Sequence, residues 1–241
     1  MKIDWGSLSV KIEKIFFPLV FSFFSLTHFF RLYSAVRIYL INSPKTLASA
    51  EFFIFRSGAV YFVFLIIFNI IISYALVVSK NLHHKPEGWK EILIPLAATF
   101  WYATYSMASF LPDETNFLVI PPRYSQLLSY PGICLAILGL AIASASIIHM
   151  RRSFSIFVQV RDIVTRGLYK YIRHPMYCGH ILSSLGFVLL DPRIFSIILY
   201  SLGVVLTVWR ALLEEEKLSR FSPEYRRYMG KTPFLIPFRF N

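Results

Sequence analysis

The chain has 241 residues, of which 56% are hydrophobic and only 16% are charged, and its mean hydropathy is +0.57. Soluble domains carry about one quarter charged residues, so this composition excludes an ordinary water-exposed surface. A net charge of +12 would suggest nucleic acid as the partner of a soluble protein, but here the basic residues flank apolar runs and indicate membrane lipids instead.

Apolar runs along the whole chain predict an all-α, polytopic transmembrane bundle of about five to six helices. A helix that crosses a membrane needs about 20 apolar residues, or fewer when it packs against other helices. The first run contains His28 and leads into Arg31 and Arg37, so it either crosses the membrane fully or is interfacial or re-entrant. In chain order the runs are residues 15–30, 58–78, 92–111, 133–148, 178–190 and 194–213.

The chain is expected to divide into N-terminal transmembrane helices, residues 1–130, and a core, residues 131–241, that carries most of the polar chemistry. The last two runs of this core are separated only by Asp191-Pro192-Arg193, which predicts a helical hairpin with Asp191 as N-cap of its second helix. Pro175 suits the first turn of the first hairpin helix, and this places His174 at the positive end of that helix.

Basic residues also predict the sidedness of the bundle. Residues 151–175 carry six Lys or Arg and one acid, and the tail after residue 213 is basic as well. The positive-inside rule therefore predicts a cytoplasmic site in an integral membrane protein, of the endoplasmic reticulum in a eukaryote or the inner membrane in a prokaryote. The basic stretch 31–56 breaks this rule if the first run crosses fully, and the loop 112–131 is expected outside.

The polar residues of the core are expected to converge at the cytoplasmic membrane edge. Arg210 and Glu214 lie four residues apart, hence on one helix face, and the hairpin returns them to the level of His174. Charged groups at membrane depth are costly and indicate function. For Arg173 and Arg210 an anchoring role remains open, as does an interfacial role for the tyrosines. Cys134 and Cys178 lack metal-ligand spacing, so no metal site is predicted.

Residues 159–237 contain an ordered set of motifs: Val164-Thr165-x-Gly167-x-Tyr169, Arg173-His174-Pro175-x-Tyr177-x-Gly179, Arg210-x-x-x-Glu214, Glu224-Tyr225-x-x-Tyr228 and Leu235-Ile236-Pro237. This set resembles the isoprenylcysteine carboxyl methyltransferase family, part of a broader class that includes phospholipid methyltransferases.

The resemblance implies S-adenosylmethionine as cofactor and S-adenosylhomocysteine as product, with the cofactor pocket between the basic loop and the hairpin. Arg210 is the implied catalytic residue and, with Arg173, would face a substrate carboxylate. Either Glu214 or its neighbour Glu215 would hold the amino or ribose end of the cofactor. The remaining implied cofactor residues are Gln159, Arg161, Asp162, Ile163, Val164, Tyr169, His174, Pro175, Met176 and Tyr177.

The expected function is therefore methylation of the α-carboxylate of a C-terminal prenylated cysteine, or of a similar lipophilic carboxylate drawn from the bilayer. A carboxylate with a pKa of about 3.5 is already ionised near neutral pH and needs a cation to orient it, which an Arg fork provides. A phospholipid amine or small-thiol methyltransferase is the main alternative. A lipid-binding membrane protein without enzymatic activity is the alternative from another class.

Overall fold

The computed structural model describes residues 5–42, 50–79, 82–101, 119 and 122–237. Within these ranges the regular structure is helical, apart from an isolated antiparallel bridge between His84 and Val160. A π-helical segment, Ile12–Phe16, joins the first two helices. In chain order the helices are α1 Trp5–Lys11, α2 Phe17–Asn42, α3 Ala50–Val77, α4 Lys90–Phe100, α5 Pro122–Met150, α6 Pro175–Leu190, α7 Ile194–Phe221 and α8 Pro223–Lys231.

The predicted all-α membrane bundle is confirmed. Four helical stretches are long and apolar enough to cross a membrane, and α6 is a shorter apolar helix beside them. The four stretches are Leu8–Arg37, Ala59–Val77, Leu127–Ser153 and Ile194–Phe221. The predicted run 92–111 lies partly outside the described residues, which include its beginning in α4. The protein is therefore an integral membrane protein with several spans.

The first span is longer than the apolar run 15–30 because helix continues through its polar residues on both sides. The stretch Leu8–Arg37 is helical throughout and is long and apolar enough to cross a membrane. Helix α2 runs antiparallel to α3, since Ser73 Oγ donates to Pro18 O at 3.2 Å and Ser25 Oγ to Ile66 O at 3.4 Å. Arg31 and Arg37 consequently lie at the opposite end of the bundle from residues 151–175.

Helix α5 begins earlier than predicted. The boundary expected at Pro131-Gly132 is wrong, because Pro131 lies inside α5, and residues 122–131 of the predicted outer loop are helical. Transmembrane helices tolerate internal proline where neighbouring groups satisfy the freed backbone. Residues 112–118, 120 and 121 of that loop lie outside the described residues.

The C-terminal hairpin of α6 and α7 is present as predicted, but Asp191 does not cap α7. It ends α6, with its N–H donating to Phe187 O, and its carboxylate accepts from Arg193 Nε at 3.0 Å. Arg193 is the N-cap of α7 and makes no side-chain capping bond. Because Asp191 lies two residues before that cap, its carboxylate pairs with Arg193 rather than with the first N–H groups of α7.

Small residues bring α5 and α6 close together. A Cβ on Gly139 would lie 2.3 Å from Ser183 N, and a Cβ on Gly179 would lie 2.6 Å from Gly139 O. Small residues at facing positions allow membrane helices to pack backbone against backbone. This contact fixes the end of α5 against the start of α6. The ends of α3, α5 and α7 and the beginnings of α2, α4 and α6 meet at what we call the cavity end of the bundle.

Candidate active site

The cavity end contains a cleft whose volume is about 620 Å³ when space open to solvent is included. Most of the residues implied by the family resemblance come together in its walls. Ten of the site residues predicted from the sequence line the cleft: Arg161, Asp162, Ile163, Val164, Tyr169, Arg173, His174, Met176, Tyr177 and Glu214. Met150, Ser153, Leu218, Tyr225 and Tyr228 complete the lining. The other named candidates are buried and are not among the lining residues: Gln159, Pro175, Glu215 and Arg210.

One wall is an extended segment that leads from α5 to the turn at Gly167. Residue Gly167 has a φ of +61°, which glycine adopts without strain. A Cβ there would lie 2.0 Å from His149 Cδ2, so the backbone at Gly167 approaches the ring of His149 closely. A glycine at residue 167 thus lets the chain turn beneath the end of α5.

The same wall is tied to the connection between α3 and α4. His83 N–H donates to Val160 O at 2.8 Å, and Val160 N–H donates to His84 O at 3.0 Å. The exposed His83 ring also contacts Asp162 Oδ1 at 2.9 Å, and the His84 ring stacks on Phe221 at 3.8 Å. This connection therefore crosses the cavity end and pairs with residues 160–162.

Glu214 is the predicted glutamate that lines the cavity. Tyr177 donates its hydroxyl hydrogen bond to Glu214 Oε1, and Arg210 Nε donates to the same oxygen at 3.3 Å. The face shared by Arg210 and Glu214 is thus confirmed. Arg210 also donates to Thr99 Oγ1 at 2.8 Å and to Ser155 O at 3.3 Å, and its guanidinium lies 5.2 Å from the Tyr177 ring centroid.

Glu215, unlike Glu214, does not line the cavity. It is buried behind the wall, where Oε1 lies 3.0 Å from Arg173 Nε and 2.9 Å from His174 Nε2. The backbone N–H groups of Arg173 and His174 donate to Pro233 O and Phe234 O, so the C-terminal segment covers this side. Pro175 occupies the first turn of α6 as predicted, with His174 as its N-cap. Glu215 therefore holds two cavity-lining side chains in place.

Three tyrosines around the cavity are strongly resistant to ionisation. Burial and the nearby Glu214 raise the pKa of Tyr169 well above 10. Burial, with Glu215 and Glu214 close by, also raises the pKa of Tyr225. Burial is the main cause that raises the pKa of Tyr228 to about 12, and its hydroxyl donates to Tyr169 O at 2.5 Å. Near neutral pH these side chains are hydrogen-bond donors and do not accept protons as bases.

A completely buried acid, Glu13, supports the extended wall from behind. It lies in the π-helical segment Ile12–Phe16 and is 0% exposed. Its Oε2 accepts from Gln159 Nε2 at 2.6 Å and from Arg161 Nη2 at 3.2 Å. Its Oε1 accepts from the N–H groups of Ile156 and Phe157 and lies 2.8 Å from Ser155 Oγ. The side chain of Gln159 is thus directed to Glu13.

The motifs of the C-terminal third do not reveal Glu13 or Thr99, which contribute from the first 130 residues. For Glu13 a signal does exist in the sequence. It is an acid beside a long apolar run, where an uncompensated charge is costly. The flanking Lys11 and Lys14 make it resemble an ordinary interfacial residue. For Thr99 we find no comparable signal.

Comparisons with known proteins find methyltransferases. The family model described as phospholipid methyltransferase matches residues 128–221. Protein-S-isoprenylcysteine O-methyltransferase B of Arabidopsis thaliana is 30% identical over 163 residues, which are 62% of this chain and 80% of that protein. Form A of the same plant is 28% identical over 160 residues, covering 61% and 78%. The human protein-S-isoprenylcysteine O-methyltransferase is 30% identical over 152 residues, covering 57% and 51%.

Among solved structures, the eukaryotic intramembrane Ras methyltransferase ICMT without a monobody aligns over 98% of both chains, with 18% identity and a TM-score of 0.45. The sequence relationship is the stronger one, because a relative at 30% identity is matched over four fifths of its length. The chain belongs to the protein-S-isoprenylcysteine O-methyltransferase family and is a membrane-embedded methyltransferase.

Proposed function

We propose that this protein uses S-adenosylmethionine to methylate the α-carboxylate of a C-terminal prenylated cysteine, or of a close lipophilic analogue. The observation that carries the proposal is the cavity itself, where separated motifs meet at one end of a membrane bundle. The names of the relatives from Arabidopsis thaliana and Homo sapiens supply the substrate class. A lipophilic acceptor would reach this end from the bilayer.

The lining residues fit S-adenosylmethionine chemically. Its ammonium and ribose hydroxyls suit the carboxylate of Glu214, and a sulfonium cation suits the aromatic faces of Tyr169 and Tyr177. Backbone groups of residues 161–164 would hold the remainder. When bound, the cofactor supplies a methyl group on a positively charged sulfur, so the residues of the chain act mainly by positioning and by excluding water.

Arg210 is proposed to orient the carboxylate of the acceptor, assisted by Arg173. Arg210 is 5% exposed, and its three nitrogens already have Glu214, Thr99 and Ser155 as partners. A guanidinium has five N–H donors, so donors remain for a further oxygen. The bond to Glu214 would place the cation for the acceptor directly beside the carboxylate proposed for the cofactor. This arrangement brings the two reactants together at one point.

The protonation behaviour of the tyrosines supports a carboxylate acceptor. An ionised carboxylate needs no proton removed before it attacks a methyl group, whereas an ammonium headgroup does. A tyrosine with an ordinary pKa of about 10 is already protonated near neutral pH, and the raised pKa values of Tyr169, Tyr225 and Tyr228 make their ionised, basic forms still less accessible. His174 Nε2 is engaged by Glu215. These side chains are thus better suited to hold an anion than to deprotonate an amine.

A phospholipid amine is the second candidate acceptor, because the matching family model bears the description phospholipid methyltransferase. The two candidates differ in product. A carboxylate acceptor gives a base-labile methyl ester, and an ethanolamine headgroup gives a base-stable N-methyl amine. Purified protein with methyl-labelled S-adenosylmethionine should be offered acetyl-farnesylcysteine and phosphatidylethanolamine in parallel. Label in acetyl-farnesylcysteine supports the proposal, and label only in the phospholipid favours the second candidate.

The cavity end is proposed to face the cytoplasm. It carries the basic segment 151–175, whereas Arg31, Arg37 and Arg193 lie at the other end. The greater number of Lys and Arg near the cavity supports this orientation. Labelling of a cysteine introduced at the exposed residue Glu224, in a protein whose Cys134 and Cys178 are replaced by Ser, before and after cell permeabilisation, tests it. Labelling only after permeabilisation is expected, and equal labelling of intact cells would contradict it.

A further inference from the structure

We infer that Glu13 is a positioning residue of the active site, which fixes the extended wall in the conformation that accepts the cofactor and the acceptor. The inference rests on the proposed function and adds to it a residue from the first helical stretch. Glu13 lies more than 140 positions from Ser155, Ile156, Phe157, Gln159 and Arg161, and its carboxylate is within bonding distance of all five.

Burying the charged carboxylate of Glu13 costs free energy unless its partners compensate for the lost water. Its side chain is 0% exposed and that of its ion-pair partner Arg161 is 3% exposed. A carboxylate removed from water is tolerated only when a cation and hydrogen-bond donors surround it. Here the donors come from a segment that has no helix or sheet to satisfy its own N–H groups. Glu13 provides the acceptor that the backbone of residues 156 and 157 otherwise lacks.

The position of Glu13 depends on the π-helical segment. Phe17 N–H donates to Ile12 O, five residues earlier, where an α-helix would use the fourth. Such an insertion rotates the helix on its N-terminal side relative to the rest, and π segments are frequent at functional sites. Phe17, at the end of the segment, is buried against Phe157 with ring centroids 5.7 Å apart. The π-helical segment therefore packs against the extended wall through two neighbouring side chains, Phe17 and Glu13.

The wall connects Glu13 to both proposed binding regions. Arg161 Nη2 donates a hydrogen bond to Glu13 Oε2, and Arg161 also lines the cavity. Ser155 contacts the other oxygen through its hydroxyl, and its carbonyl accepts from Arg210 Nη2 at 3.3 Å. A substitution of Glu13 should therefore shift the extended wall through Arg161 and shift Arg210 through Ser155. A residue that only stabilised the fold would have no reason to affect these two places more than others.

The test compares the full-length protein in detergent with E13Q, which keeps the shape but removes the charge, and with E216Q as control. Glu216 is exposed on α7 and lies outside the cavity lining. Calorimetric titration with S-adenosylhomocysteine should give an affinity about tenfold weaker for E13Q, since hydrogen bonds to a charged group are lost. E216Q should stay within about twofold of the unchanged protein on the same scale.

Amide hydrogen exchange provides a readout that a general loss of stability would not reproduce. In E13Q, exchange at residues 155–161 should rise, while the packed helices α5 and α6 keep their protection. Weaker binding together with this local rise supports the inference. Unchanged affinity and exchange in a monodisperse E13Q protein would overturn it, and so would a rise spread evenly over all helices.

A second variant keeps the test decisive if E13Q does not give monodisperse protein. S155A removes one side-chain contact to Glu13 and leaves the carboxylate and its pair with Arg161 intact. It should weaken S-adenosylhomocysteine binding about threefold, as expected for one hydrogen bond, with the same local rise in exchange, and no change in either would overturn the inference. If the unchanged protein itself binds no S-adenosylhomocysteine, the proposed function fails instead, and the two failures are thereby distinguished.

Discussion

Adjacent glutamates on α7 have different surroundings, although they differ by one position in the chain. Glu214 lines the cavity between Tyr177 and Arg210, whereas Glu215 is buried against Arg173 and His174. A helix turns by about 100° per residue, so neighbours on α7 face different sides of it. The sequence alone leaves the two indistinguishable, and we assign the proposed cofactor contact to Glu214.

Replacement of Glu214 by Gln is expected to weaken S-adenosylhomocysteine binding about tenfold or more, because a charged hydrogen-bond acceptor is lost beside Arg210. Calorimetric titration in detergent measures this. E216Q is the matched control on the same helix. Equal affinity of E214Q and the unchanged protein would show that Glu214 does not hold the cofactor.

Replacement of Arg210 by Lys keeps the charge but removes the planar fork that suits a carboxylate. We expect turnover to fall about 100-fold, as when an interaction made in the transition state is lost. Binding of S-adenosylhomocysteine should change by less than about fivefold, because Glu214 remains in place. Steady-state kinetics and calorimetry on the same preparation separate the two effects. A parallel loss of both would mean that Arg210 acts through Glu214 on the cofactor.

The hydroxyl of Tyr228 is expected to stabilise the turn that carries Tyr169. Y228F should lower the unfolding free energy by about 1 kcal/mol through the lost bond to Tyr169 O. Because the pKa of Tyr228 is raised to about 12, its contribution is complete below the unfolded value of about 10 and decreases as the pH rises towards 12. When thermal unfolding is measured from neutral pH to about pH 10.5, the unfolding temperature should fall less in Y228F than in the unchanged protein. An identical decline in both proteins would contradict this.

At the scale of the elements, the contact of α5 with α6 sets the two sides of the cavity. The apolar runs and the hairpin could be predicted from the sequence, because continuous hydrophobicity and turn residues are local properties. The start of α5 at Pro122 and the true N-cap of α7 at Arg193 are not local. Helix α5 continues through Pro131 back to its start at Pro122, and the carboxylate of Asp191 pairs with Arg193 instead of capping α7.

Replacement of Gly179 by Ala tests the helix contact. A Cβ at this position would lie 2.6 Å from Gly139 O and 2.7 Å from Ala143 N. Since two backbones must separate to accept it, we expect a loss of about 1–3 kcal/mol, in the range of overpacked cores. Thermal unfolding in detergent measures the loss. Gly230→Ala is the matched control, because a Cβ there meets nothing within 4 Å, and comparable losses in both variants would contradict the packing argument.

At the scale of the whole molecule, one site is assembled from both ends of the chain. The motif residues of the C-terminal third form most of the cavity, and these could be named from the sequence because the family resemblance places them in order. Glu13 and Thr99 contact the site from earlier in the chain, and such contacts require the π-helical segment to dock on residues 155–161 and α4 to pack against α7. The division at residue 130 stays a prediction, as do the individual roles of the site residues.

Methyl transfer to a prenylated cysteine tests the central proposal most directly. The purified full-length protein, with methyl-labelled S-adenosylmethionine at saturating concentration, should transfer label to acetyl-farnesylcysteine as a base-labile methyl ester. The E214Q protein serves as the negative control and should transfer little. If a protein that binds S-adenosylhomocysteine forms no ester with acetyl-farnesylcysteine, and instead labels an ethanolamine phospholipid or no acceptor, the account of its substrate is contradicted.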